Sequence, residues 1–99
     1  MKSRDTDFLA ELEQIIRARL AQPSDDSYTA RLVACGDKRV AQKLGEEAIE
    51  LALAAASGNR AEQLEEAADL VYHLLVLLNS KSIRLADVAE VLRERHRQR

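Results

Sequence analysis

Apolar residues recur with a helical period along most of the chain. Phe8, Leu12, Ile15 and Ile16 fall at i, i+4, i+7 and i+8, which predicts an amphipathic helix from about Asp5 to Gln22. Pro23 and the Ser24-Asp25-Asp26 that follows break it. Ser27 to Cys35 reads as either a short helix or a strand, and Gly36 ends it in both cases. A second long helix is expected from Asp37, a good N-cap, to Ser57, just before Gly58. Val40, Leu44, Ala48, Leu51 and Ala55 would line one side of it. A third helix opens at Asn59, with Glu62 at the capping-box position, and runs to about Ser80. A last one covers Leu85 to Arg97, with Val88, Val91 and Leu92 inward.

The third helix departs from simple amphipathicity. From Ala67 to Leu78 only Asp69 and His73 interrupt an apolar run. A helix that is apolar all round has to be buried all round. The run is too short and too interrupted to span a bilayer. One chain of 99 residues has too few other helices to surround it. A second copy supplies the missing cover most economically, so a two-fold homodimer with this helix at the interface is expected.

Composition narrows the class. At 46% hydrophobic and 32% charged residues the chain is not a disordered one. Three Gly and one Pro are too few for the turns of a sandwich or barrel, and Ala, Leu, Glu and Arg dominate. The expected fold is therefore all-α, a helical bundle of four to five helices forming one domain over residues 1–99. Aromatics at 3% and a net charge of −2 argue against nucleic acid or a membrane surface as partner. The single cysteine, Cys35, cannot form an intrachain disulfide and is expected as a small buried hydrophobe. The first residues, MKSRDTDF, lack the apolar core of a signal peptide, so a cytoplasmic location is expected.

Candidate chemistry lies in the acids. Glu46, Glu47 and Glu50 share one sector of the second helix as E-E-x-x-E, and Glu66 and Asp69 share one on the third as E-x-x-D. The tight Gly58-Asn59 turn packs those helices antiparallel, which lets the two patches meet. Two unit charges ~6 Å apart at an effective dielectric of ~20 repel by roughly 3 kcal/mol. Four carboxylates make six such pairs, so the acids must be solvated, protonated or neutralised by cations. An all-oxygen set suits Mg²⁺, with Mn²⁺ as the alternative. A di-iron bundle would want E-x-x-H on paired helices, which neither patch supplies. E-x-x-E is also common on solvated faces, as Glu62 and Glu65 illustrate. What sets Asp69 apart is that its motif opens an apolar stretch, where a solvated Asp would be out of place.

These residues resemble the phosphoribosyl-ATP pyrophosphatase branch of the all-α nucleoside triphosphate pyrophosphohydrolases. The likeness is carried by Ser27-Tyr28-Thr29, Gly36, the Lys43-Leu44-Gly45-Glu46-Glu47 block and the run from Asp69 to Val76, and extends over about Ser27 to Arg95. It implies Mg²⁺-dependent hydrolysis of phosphoribosyl-ATP to phosphoribosyl-AMP and pyrophosphate, the second step of histidine biosynthesis. By the same resemblance Glu47, Glu50, Glu66 and Asp69 are the metal ligands. Glu46 is the candidate for orienting or deprotonating a water, or else a supporting or surface Glu. Lys43 either contacts substrate phosphates or pairs with Glu47 one turn on. Lys38 and Arg39 either reach phosphates or are solvated first-turn charges. Ser27, Tyr28 and Thr29 offer three hydroxyls in a loop as substrate contacts, or else form a turn and an N-cap. His73 is too soft for Mg²⁺; it is expected to hydrogen-bond Glu66, Asp69 or substrate, or to be a satisfied core histidine. Many relatives carry a fused phosphoribosyl-AMP cyclohydrolase domain, so this chain is expected as the stand-alone form. Two alternatives are a sibling enzyme acting on ordinary or damaged nucleoside triphosphates, and a non-catalytic helical dimer.

Overall fold

The computed structural model describes residues 4–97, with side chains from residue 8 onward. It is all-helical: α1 (Arg4–Ala21), α2 (Tyr28–Ala34), α3 (Asp37–Ser57), α4 (Arg60–Ser80) and α5 (Leu85–Arg97). The ambiguous segment is thus a helix of seven residues. Ser27 caps it, its Oγ accepting from the Ala30 amide at 3.1 Å. No helix among the described residues is long and apolar enough to cross a membrane.

α3 and α4 form the central antiparallel hairpin; α2 packs on both of its helices, and α1 packs on α4 and on α2. Gly58 makes the turn possible: its φ of 81° is left-handed, and its amide closes α3 on the Ala54 carbonyl at 3.2 Å. Asn59 then caps α4, its Oδ1 accepting from the Glu62 amide at 3.0 Å. The cap of α3 differs from expectation. Gly36 holds that position with φ 99° and no side-chain bond, while Asp37 lies inside the first turn and pairs with Lys81. Asp37 complements the helix dipole there and ties α3 to the end of α4.

The core is small. Ile16 (α1), Leu32 (α2), Val40 (α3) and Leu75 and Val76 (α4) form it, with Leu12, Leu20, Val33, Tyr72, Leu77 and Leu85 packed against it. Several expected inward residues are not covered within one chain. On α1 Phe8 and Ile15 are exposed. On α3 the buried line is Val40, Glu47 and Ala54, and Ala48 and Ala55 face out. That line repeats every seven residues and keeps one face of α3 on α4. A carboxylate occupies its middle, which is why an apolar stripe places the face wrongly. Cys35 is exposed, because it is the C-cap residue of α2 and lies outside its packed face.

α5 buries no residue, and Val91 and Leu92 are each about half exposed. The helix is held at its start instead. Glu13 Oε2 accepts from the Leu85 amide at 2.7 Å and from Asn79 Nδ2 at 3.0 Å, which pins the α4–α5 loop to α1. On α4, Leu75 and Val76 are fully buried while Val71 remains exposed.

Candidate functional site

The hairpin brings the acids of both helices together. Carboxylate oxygens of Glu47, Glu66 and Asp69 lie within 4.8 Å of one another. They differ in setting: Glu47 is buried, Glu66 partly buried and Asp69 exposed. Glu50 is one turn after Glu47 and faces Glu66. It shares a shallow pocket of about 250 Å³ with Leu53, Ala54, Ser57, Glu62 and Glu66. The Glu47 carboxyl is pushed above the ordinary carboxylate value, first by burial and then by the charge of Glu50 and a hydrogen bond with it. Lys43 opposes the shift and Asp69 adds to it. Glu66 is raised as well, by desolvation first and then by the charges of Glu50, Asp69, Glu65 and Glu62. Both groups therefore sit in a negative local field, which protonation or a bound cation would relieve.

A hard divalent cation fits this donor set. Octahedral Mg²⁺ at about 2.1 Å from each oxygen spans no more than about 4.2 Å between ligands. The observed 4.8 Å limit needs only a small contraction. No nitrogen or sulfur ligand joins the group among the described residues.

Glu46 stands outside it. Its Oε2 accepts from Gln42 Nε2 at 3.2 Å and lies 4.0 Å from Arg39, and its Oε1 lies 4.0 Å from Lys43. Lys43 also lies 3.9 Å from Glu47 Oε1, so it bridges the two acids. Lys38 and Arg39 are exposed on the first turn of α3.

The other candidates divide sharply. His73 is buried, its Nδ1 2.7 Å from the Asp69 carbonyl oxygen and its Nε2 2.8 Å from Tyr28 Oη. A carbonyl only accepts, so Nδ1 carries the proton and the Tyr28 hydroxyl donates to Nε2. His73 therefore bonds the Asp69 backbone and Tyr28 rather than the Glu66 or Asp69 carboxylate. Thr29 is fully buried, and its hydroxyl is bonded to Tyr72 Oη. Ser27, Tyr28 and Thr29 thus do not form a loop of three free hydroxyls: Ser27 caps α2, Thr29 is sealed, and Tyr28 alone is exposed. Tyr72 and Tyr28 each meet the His73 ring edge-on, with centroids 5.6 and 5.7 Å away.

The model of the phosphoribosyl-ATP pyrophosphohydrolase family matches residues 9–96. The chain belongs to that family. It is 53% identical over 89 residues to the histidine biosynthesis bifunctional protein HisIE of Photobacterium profundum, an alignment covering 90% of this chain and 43% of that protein. It is 52% identical over 89 residues to HisIE of Escherichia coli K12, with 90% and 44% covered. The chain spans less than half the length of these relatives.

Within this pyrophosphohydrolase domain, two residues near the site escape a reading of the sequence. Glu62 serves the helix cap only through its amide, and its side chain lines the pocket with Glu50 and Glu66. Its spacing of four from Glu66 was the available signal. Tyr72 holds α2 through Thr29, and its position in an apolar run disguises it as plain core.

Proposed function

We propose that this chain hydrolyses phosphoribosyl-ATP to phosphoribosyl-AMP and pyrophosphate, the second step of L-histidine biosynthesis, as a single cytoplasmic domain. The observation that carries this reading is the convergence of Glu47, Glu66 and Asp69 across the α3–α4 seam in a chain of the pyrophosphohydrolase family. Glu47, Glu50, Glu66 and Asp69 would hold Mg²⁺, or Mn²⁺ in its place. When bound, the cation neutralises charge on the phosphate oxygens and acidifies a coordinated water. Glu46, at the edge of the cluster, orients or deprotonates the attacking water. Lys38, Arg39 and Lys43 form the cationic rim beside the acids and meet the phosphates. Ser27 and Thr29 shape the start of α2, so that Tyr28 presents its ring and hydroxyl toward substrate. His73 fixes Tyr28 and, through the Asp69 carbonyl, the turn of α4 that carries Asp69.

The working unit in this reading is a homodimer. Ile49, Leu53 and Leu64 on the hairpin and Val91 and Leu92 on α5 are each about half exposed or more. A helix with an apolar stripe and no buried residue gains its stability from another chain. The test is pyrophosphate release from phosphoribosyl-ATP beside the common nucleoside triphosphates. Turnover confined to phosphoribosyl-ATP supports the assignment. Turnover of ordinary triphosphates alone moves the protein to the sibling activity, and no turnover of any of them leaves a non-catalytic dimer.

A further inference from the structure

Away from the acidic seam, a cavity of about 200 Å³ opens where α1 meets the α4–α5 loop, lined by Arg17, Asn79, Ser82 and Arg84. Neither guanidinium has an ion-pair partner among the described residues. Glu13, the i−4 neighbour that would ordinarily pair with Arg17, instead gives Oε2 to Asn79 Nδ2 and the Leu85 amide. Asp87, the acid nearest Arg84 in sequence, gives Oδ2 to the Arg84 amide at 2.9 Å. Both acids are thus held in place by the loop's hydrogen bonds, and neither forms a direct ion pair with Arg17 or Arg84 among the described residues, so each guanidinium keeps its donors for a ligand. Ser82 has a φ of 60°, a left-handed conformation that non-glycine residues seldom adopt.

The lining also specifies more than charge. Asn79 Nδ2 donates to Glu13 and, at 2.9 Å, to the Leu75 carbonyl, so both its protons are spent. What Asn79 offers a ligand is its Oδ1, an acceptor. Arg17, Arg84 and the Ser82 hydroxyl offer donors. A ligand matching this set carries an anion and, next to it, a hydroxyl that donates. The cavity is smaller than the usual range for drug-sized ligands, which suits a compact group.

We propose that this cavity binds a sugar phosphomonoester, its phosphate between Arg17 and Arg84 and a sugar hydroxyl on Asn79 Oδ1. Asn79 lies ten residues beyond Asp69 on α4, about 15 Å along the helix. Two sources present this chemistry: the ribose 5-phosphate end of phosphoribosyl-ATP, an arm that rests on the proposed function, or a free sugar phosphate.

The probe is ribose 5-phosphate, titrated into the whole chain while the arginine side-chain N–H resonances are followed by NMR. Saturable shifts at Arg17 and Arg84, weakened by salt and absent with unphosphorylated ribose, are expected. The R17Q/R84Q double variant should weaken binding by about tenfold or more, and R93Q should not change it. If the double variant does not fold, R17Q and R84Q singly should each weaken binding. An unchanged affinity in these folded variants, or no saturation at about 10 mM, overturns the site. A raised KM for phosphoribosyl-ATP with kcat unchanged assigns the phosphate to substrate. An unchanged KM with ribose 5-phosphate binding lost assigns it to a free metabolite. If the wild type does not turn over phosphoribosyl-ATP at all, the proposed reaction fails, while the titration still decides the cavity.

Discussion

Glu47→Gln separates electrostatics from packing at the acidic seam, because Gln keeps the shape and removes the charge. Glu47 is 4% exposed and has two carboxylate neighbours with oxygens within 4.8 Å. One carboxylate pair at that spacing repels by about 3.5 kcal/mol at an effective dielectric of ~20 and by about 0.9 kcal/mol in water. The seam is open on the Asp69 side, so the lower part of that range applies. The variant also loses the Lys43 pair at 3.9 Å, which is worth under about 1 kcal/mol. Glu47→Gln should therefore stabilise the protein in EDTA by about 1–2 kcal/mol near pH 7. At about 4–8 °C per kcal/mol for a domain of this size, the melting temperature rises visibly. The pH dependence has a fixed sign. The folded-state pKa of Glu47 is raised, so folding favours its protonated form. The wild type is least penalised below the unfolded carboxylate pKa and loses stability as pH climbs through the folded value. The advantage of Gln should accordingly shrink as pH falls toward the ordinary carboxylate range. Mg²⁺ at a hundred times its dissociation constant would stabilise the wild type by about 2.7 kcal/mol, and the variant by clearly less. Thermal melts by circular dichroism in EDTA and in Mg²⁺, at several pH values, measure all of this. A variant that melts lower than wild type in EDTA at pH 7 would show that carboxylate repulsion does not dominate at Glu47, and one that keeps the full Mg²⁺ response would show that Glu47 is no ligand.

Other parts of the molecule give separate expectations. Leu75→Ala empties a fully buried site in a small core and should cost about 2–5 kcal/mol, read as a drop in denaturant midpoint. Asn59→Ala removes the cap of α4 and should cost about 1 kcal/mol by the same measurement, with the acidic cluster intact. Glu13→Gln weakens the clamp on Asn79 and the Leu85 amide, so hydrogen exchange at Leu85 should accelerate well before the α3–α4 hairpin opens.

The helices were legible because their signals are local. Asn59, Gly58 and the apolar period mark α3 and α4 without reference to anything distant. The facing of α3 was not, since its buried line includes Glu47. An acid that packs against other acids breaks the apolar stripe that a sequence reading follows. Val91 and Leu92 read as inward because they lie on an apolar stripe, yet each stays about half exposed in the described chain. The meeting of the E-E-x-x-E and E-x-x-D patches followed from one short turn, which fixes which faces oppose. Which partner each hydroxyl of Ser27, Tyr28 and Thr29 takes, and that Tyr28 stays exposed, depends on how α2 lies on α4. That is set by Tyr72 and His73, more than forty residues away.

In the proposed reaction the α3–α4 acids hold the divalent cation on which pyrophosphate release depends. The most direct measurement follows release from phosphoribosyl-ATP by wild type and Asp69→Asn as Mg²⁺ is titrated from EDTA upward. Asp69 is exposed, so its substitution spares the core. Wild type should show saturable Mg²⁺-dependent turnover. In the folded variant turnover should be abolished or shifted to much higher Mg²⁺. Full turnover in EDTA, or an Asp69→Asn variant with the wild-type Mg²⁺ curve, would mean that these acids hold no cation the reaction needs.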